Sequence, residues 1–329
     1  MLFLGFGSNQ NMLASIFPLR FSVTTESIDT ILTYEDWQLR RTRHYEAFDR
    51  IVEPHLVRRS HHINNAVADF MFEYYGFRPS YLRKWSPGYG VLLEGATLKD
   101  FGAHDGFIQE TGGVRLSVDS CSDRFSDRTR WIRDMLVTTQ NRTPLFGCFG
   151  LHEWAMLYRT SDPRHASLAL RVTPDELTKV VENSKVSCTH FDAFRFFTPN
   201  AKPLNAKQLT RDDMNDTEQR GCLHANMDVY RWAFKRYPWV ASELVLRAFQ
   251  LALEIRHVDM AASPYDLASE GVVPIEIETA KGSQQYLEHQ KSFAEKAFIL
   301  RAELISAYDD LLVALYPSQE SFAKAHLSS

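Results

Sequence analysis

Three short segments each set a histidine and a carboxylate among apolar residues. The run from Gly147 to Arg159 carries His152 and Glu153 between Phe149, Leu151, Trp154, Met156 and Leu157. Thr189 to Phe197 carries His190 and Asp192, and Gly221 to Asp228 carries His224 and Asp228. Ionisable groups in apolar surroundings cost several kcal/mol unless they are paired, so these residues need partners or a task. Each histidine also follows a cysteine closely: Cys148, Cys188 and Cys222. The pattern predicts that the three segments meet in one pocket. There His152, His190 and His224 would bind iron, manganese or zinc, or hold a polar substrate, with Glu153, Asp192 and Asp228 as further ligands or ring-orienting groups. A thiolate could replace an imidazole in that set. The plain alternative is three core histidines, each satisfied separately.

The segment Phe191, Phe194, Phe196, Phe197 with Asp192 and Arg195 has two readings. Its rings could stack a planar base while a carboxylate acts at the sugar, or they are ordinary core aromatics. Several enzyme classes lose support, because the chain has no Walker loop, dinucleotide fingerprint, paired Cys-x-x-Cys or Gly-x-Ser-x-Gly elbow. Glu254-Ile255-Arg256-His257 has the Glu-x-x-His spacing of di-iron bundles but occurs once, and an exposed helix face is expected for Glu254 and His257.

The 329 residues, 44% hydrophobic and 24% charged, suffice for one large domain or two modest ones, and a net charge of -4 gives no overall basic field for nucleic acid. Four cysteines in a chain of this length do not form a secreted disulfide framework, so a reducing cytoplasm is expected. Met1 to Phe21 resembles neither a signal peptide nor a membrane span, and residues 1–30 are expected to be an N-terminal extension. No membrane association is expected.

The elements that must position these residues are mostly helices. Apolar spacing predicts helices from about Glu35 to Arg59, kinked or divided at Pro54, and from His62 to Tyr75. In the second, His62, Asn65, Asp69 and Glu73 form a polar stripe that either faces water or borders the pocket. A short helical turn is expected from Tyr81 to Trp85, and residues 86–122 read as Gly-rich and irregular. Their Pro87-Gly88-Tyr89-Gly90 run resembles the hairpin of helix-hairpin-helix DNA-binding proteins. Further helices are expected over Asp123 to Gln140, from Thr173-Pro174-Asp175-Glu176 to Asn183, over Leu223 to Tyr237, from Ser242 to Ala262, and from Gln284 to Tyr316. Leu168 to Val172 and Lys185 to Phe191 read as strands. The expected fold is therefore a single mainly α domain over residues 31–318, with a small β insert at about 168–191 and a C-terminal tail at 319–329.

Gly147-Cys-Phe-Gly-Leu-His-Glu-Trp-Ala-Met, His190-Phe-Asp-Ala-Phe-Arg-Phe-Phe-Thr-Pro, Gly221-Cys-Leu-His-Ala-Asn-Met-Asp, and Asp259-Met260 with Ser263-Pro-Tyr-Asp-Leu resemble an actinobacterial-type family of proteins named 3-methyladenine DNA glycosylase. The resemblance covers roughly residues 35 to 315. It implies a cofactor-free N-glycosidase that removes an alkylated purine from DNA. In that reading Asp192 or Asp228, with Glu153 as a further candidate, stabilises an oxocarbenium-like sugar or activates water. His152, Trp154, His190, Phe191, Phe194, Arg195 and His224 would then contact the substrate, the aromatics holding the base and Arg195 a phosphate. The chain departs from such enzymes in lacking a helix-hairpin-helix with its downstream catalytic aspartate. Two other classes fit the residues: a metal-dependent enzyme acting on a small molecule, and a binding protein without chemistry.

Overall fold

Thr33 caps the first long helix with its side-chain oxygen on the Asp36 amide (3.2 Å), and Glu35 and Asp36 place negative charge on its first turn. In the computed structural model, residues 30–63, 65, 67, 69–101, 106–162 and 168–317 are described. Almost all of the expected N-terminal extension and the tail at 319–329 lie outside them. The helices, in chain order, are α1 (Tyr34–Ser60), α2 (Phe70–Tyr75), α3 (Pro79–Arg83), α4 (Asp123–Asn141), α5 (Leu151–Ala155), α6 (Pro174–Asn183), α7 (Phe191–Phe194), α8 (Met214–Thr217), α9 (Leu223–Phe234), α10 (Ser242–Ala261) and α11 (Ala280–Leu315). The mainly α expectation holds.

The core is the group α9, α10 and α11, which pack on one another, with α4 against α11. Along α11 the buried stripe of Phe293, Ala297, Leu300, Leu304, Tyr308 and Leu311 recurs at helical spacing. Helix α10 is buried on nearly every side, so its polar residues Arg256 and Asp259 are inside the protein. Each large apolar side chain withdrawn from water here contributes about 1.5–3 kcal/mol.

The β structure is not where the alternation placed it. A four-stranded sheet is built from β1 (Thr30–Leu32), β2 (Val91–Glu94), β3 (Phe107–Glu110) and β4 (Gly113–Leu116) in the order β1-β2-β4-β3, with β1 parallel to β2 and the other pairs antiparallel. Strands β3 and β4 are joined by the two-residue turn Thr111-Gly112. At Gly113 a Cβ would lie 2.1 Å from the Leu93 carbonyl oxygen, so only glycine allows β4 to approach β2. The sheet covers a second apolar cluster containing Trp37, Trp85, Leu93, Phe101, Phe107 and Leu116, and the Trp37 indole donates to the Glu94 carbonyl.

Of the expected insert at 168–191 the helix forms as α6, but its flanking strands do not: Leu170 makes a single bridge with Tyr265. Its second half is extended, yet it is held by a side chain and not by a neighbouring strand. Asn205 accepts from the Cys188 amide (2.7 Å) and donates to the Cys188 carbonyl (3.0 Å).

Two further expectations change. Helix α1 runs unbroken through Pro54, and the helix expected over 62–75 forms only from Phe70. The Asp69 carboxylate accepts from the Asn65 amide and pairs with His55, while Glu73 is exposed, so the polar stripe does not border the histidines. The Pro87-Gly88-Tyr89-Gly90 run is no phosphate-holding hairpin. Its residues Pro87 and Gly88 are buried, the Gly88 and Tyr89 amides donate to Ser86 Oγ and the Trp239 carbonyl, and the run leads into β2. Among the described residues, no helix is long and apolar enough to cross a membrane.

Candidate functional site

Phe149 and Gly150 are both left-handed (φ 46° and 72°), a double reversal that turns α5 into the core. Phe149 is strained in that conformation, the kind of backbone cost that collects near working sites. All five residues of α5 are buried, so His152 and Glu153 are carried inside. Helix α9 brings His224, Asp228 and Arg231 on one face at spacings of four and three, and α10 brings Arg256 and Asp259. His190 precedes α7, which carries Asp192, and Glu218 follows α8.

The three histidines converge. The His224 ring stands edge-on to His152 with centroids 4.3 Å apart and is stacked with His190 at 5.3 Å. Their ligand atoms do not form one three-histidine set, however. Two groups each have ligand atoms within 4.8 Å of one another: His152, His224 and Asp259, and His190, Asp192 and Asp228. The expected metal set of His152, His190 and His224 is thereby divided, because His190 turns to Glu218 and its Nδ1 lies 2.7 Å from Oε1, off the line of a well-formed hydrogen bond.

In the first group His152 Nε2 lies 3.1 Å from Asp259 Oδ1, and Arg256 Nη1 bridges Asp259 Oδ2 (3.2 Å) and Glu153 Oε1 (2.9 Å). In the second, Arg231 Nη1 reaches both Asp192 Oδ2 (2.7 Å) and Asp228 Oδ2 (2.9 Å), and the Tyr75 hydroxyl donates to Asp228 Oδ1 (2.8 Å). The carboxylates of Glu153, Asp192, Glu218, Asp228 and Asp259 outnumber the guanidinium groups that pair with them, Arg195, Arg231 and Arg256.

Two imidazoles offset that excess. Burial alone would push His152 down, but the Asp259 carboxylate outweighs it and holds the ring well above the usual histidine range. At His190 burial is likewise outweighed, by Glu218 and then Asp228, and the value rises. His224 moves the other way: burial, then the neighbouring charge of His152, leave it neutral. Burial pushes the thiols of Cys188 and Cys222 up, so they stay protonated and are not ready thiolate ligands.

A cavity of about 30 Å³ opens on this cluster, lined by Phe70, Tyr74, Glu153, Met156, Asp192, Ala193, Phe196, His224 and Arg256. One water takes about 10–15 Å³ on that scale, so the space matches a few non-hydrogen atoms. Of the residues singled out from the sequence, Glu153, Asp192 and His224 reach it, with Phe196 of the aromatic run. His152, His190 and Asp228 do not line it: the rings of His152 and His190 contact that of His224, and Asp228 pairs with Arg231 and Tyr75. Trp154 is fully buried and donates to the Ala262 carbonyl, and Phe194 packs in the core, so both are structural. Phe191 is half-buried against the same core. Arg195 pairs with Asp192 and lies over the Phe196 ring. Glu254 and His257 are exposed, as expected, and Glu254 pairs with Lys296.

Phe70, Tyr74, Tyr75, Glu218, Arg231, Arg256 and Asp259 were not foreseen as site residues. The legible signal was in α10, where Arg256 and Asp259 interrupt a helix apolar on every side and must therefore find partners. A second cleft of about 680 Å³, lined by Phe146, Phe149, Ser187, Cys188, Lys207 and Ile277 among others, shares no lining residue with the first. No protein-family model, curated protein or solved structure matches the chain.

Proposed function

We propose that the protein is a metal-dependent enzyme whose divalent ion, iron, manganese or zinc, is held by His152, His224 and Asp259. The observation that carries this reading is the donor set: two imidazoles and a carboxylate with ligand atoms within 4.8 Å of one another beside a small cavity. Ligand atoms on one tetrahedral ion at about 2.1 Å lie about 3.4 Å apart, so the set would close by up to about 1.4 Å on binding. Among the described residues, Asp259 Oδ1 has only the unaligned contact with His152. Two histidines and one carboxylate with room left beside them is a donor set suited to iron, and His152, held protonated by Asp259 in the metal-free site, would give up that proton to the solvent on ligation. The second group fits an ion less well, because Arg231 already occupies the space between its carboxylates.

The ion would polarise a substrate oxygen or activate a bound water. Glu153, fixed through one oxygen by Arg256 and facing the cavity, is placed to accept a proton there. His190, Glu218, Asp228, Tyr75 and Arg231 hold the wall behind it. Titration with Co²⁺, followed by visible absorption, tests the reading. One equivalent should bind, and His224→Ala and Asp259→Asn should abolish the spectrum; no spectrum from the parent protein would remove the proposal.

Removal of an alkylated purine from DNA is the second reading, favoured by the family resemblance and by one local feature. Asp192 is held ionised by Arg231 against burial and faces the cavity beside Phe196, a carboxylate next to an aromatic ring. A purine has about ten ring and exocyclic atoms, so the cavity would have to widen to admit it. Alkylated duplex DNA incubated with the protein and assayed for abasic sites decides this, with Asp192→Asn as control. Base release lost in the variant supports it, and none from the parent protein ends it.

A further inference from the structure

The cleft of about 680 Å³ lies apart from the histidine cluster and has the size of a small-molecule site, for which about 300–1,000 Å³ is usual. Three chain segments wall it. The turn ahead of α5 brings Phe146 and Phe149, both half-buried, and the buried Leu151 at the start of the helix. The extended stretch after α6 adds the buried Cys188, and the segment ahead of α11 adds the buried Ile277. An apolar wall left open to water carries a free-energy cost that an apolar ligand would remove.

The charge in the lining has one sign and sits on exposed residues. Lys185 and Lys207 both line the cleft, and no carboxylate is among the described residues that do. Neither lysine has an ion-pair partner among the described residues. Asp213 feels the charge of Lys207, but its Oδ2 accepts from the Thr210 amide and hydroxyl (2.6 and 2.8 Å). A lysine's four-carbon stem lies readily along an apolar body while its ammonium head stays in water and meets an acid there. That head is a compact point charge, so the pair selects the sign of the ligand's charge more than the geometry of its acid group.

We infer that this cleft is a second binding site, for a small organic anion with an apolar chain or ring. The body lies against Phe149, Leu151 and Ile277, and the charge is met by Lys185 and Lys207. The inference uses none of the residues proposed to hold the ion and stands whether or not a metal binds. Leu151 and Glu153 are two apart on α5 and so face different sides of it, which sets a ligand in the cleft against the helix on the side turned from the small cavity.

Calorimetric titration of the full-length protein with octanoate tests this, with 1-octanol as the same body without charge and acetate as the same acid group without the body. Octanoate should bind at about one equivalent per chain, about fivefold or more tighter than 1-octanol and about a hundredfold or more tighter than acetate. The double variant Lys185→Gln, Lys207→Gln changes only exposed positions. It should bind octanoate no better than 1-octanol, with 1-octanol itself held as in the parent protein. Octanoate binding no tighter than 1-octanol in the parent, or no tighter than acetate, overturns the proposal. So does octanoate binding that is undiminished in the double variant. The comparison of the three ligands on the parent protein decides the matter even if that variant does not fold.

Discussion

Replacing Arg231 by Met keeps most of the aliphatic volume and deletes the one group that holds Asp192 and Asp228 together. Both carboxylates then remain largely buried, their side chains 16% and 3% exposed; Asp228 has lost its guanidinium and Asp192 keeps only the more exposed Arg195. Breaking a buried ion pair from one side costs about 3–5 kcal/mol. The Tyr75 hydroxyl still donates to Asp228, which places the expected loss at the low end, about 3 kcal/mol. At about 2–3 °C per kcal/mol for a chain of this size, the melting temperature should fall by roughly 6–9 °C near pH 7.5. The loss should also depend on pH. Burial pushes the Asp192 carboxyl up, but the hydrogen bond and charge of Arg231 outweigh it and hold the value below the usual range. A carboxyl depressed on folding contributes stability above its unfolded value, near 4, and loses it as the pH falls through the folded value. In Arg231→Met burial is opposed only by His190 and Arg195, Asp192 binds a proton more readily, and the penalty should shrink between pH 7.5 and about 4.5. Thermal melts followed by circular dichroism at both pH values measure this. A loss under about 2 °C at pH 7.5, or the same loss at both, would refute the ion-pair argument.

Two other perturbations test neighbouring parts. Glu218→Gln should cost about 3 kcal/mol near pH 6 and less as the pH rises above about 6.5. The His190 value is raised on folding, so its contribution is complete below the unfolded value and is lost as the pH climbs through the folded one; denaturant titrations at pH 6 and pH 9 showing an equal or growing cost would contradict it. Gly113→Ala places a methyl against the Leu93 carbonyl and should lower stability by about 1–3 kcal/mol, read by urea unfolding, whereas parent-like stability would contradict the β2–β4 register.

The helices were legible where local signals and tertiary packing agree. Thr173 and Glu176 form the expected capping box ahead of α6, and the stripe of α11 is the stripe seen in its sequence. The sheet was hidden because Gly95, Gly106, Gly112 and Gly113 interrupt short strands, and their function is turn conformation and close approach, which periodicity does not register. The false strand at 185–191 shows the converse. Val186 and Cys188 alternate inward as in a strand, but a side-chain amide from Asn205 satisfies the backbone. In the site, the His motifs revealed which residues needed partners and not which partners they had. Nothing in the sequence singled out Arg231, because spacing identifies a shared face, not its depth. The acidic stripe of 62–75 failed for the same reason: the aromatic residues Phe70, Tyr74 and Tyr75 of that segment face the cluster instead.

The central claim is that His152, His224 and Asp259 hold a metal ion, and elemental analysis tests it most directly. Untagged protein purified without chelator should contain about one equivalent of iron, manganese or zinc per chain, and His224→Ala, folded by circular dichroism, should contain almost none. Less than about a tenth of an equivalent in the parent protein, with no uptake after incubation with each of the three ions, would contradict the account.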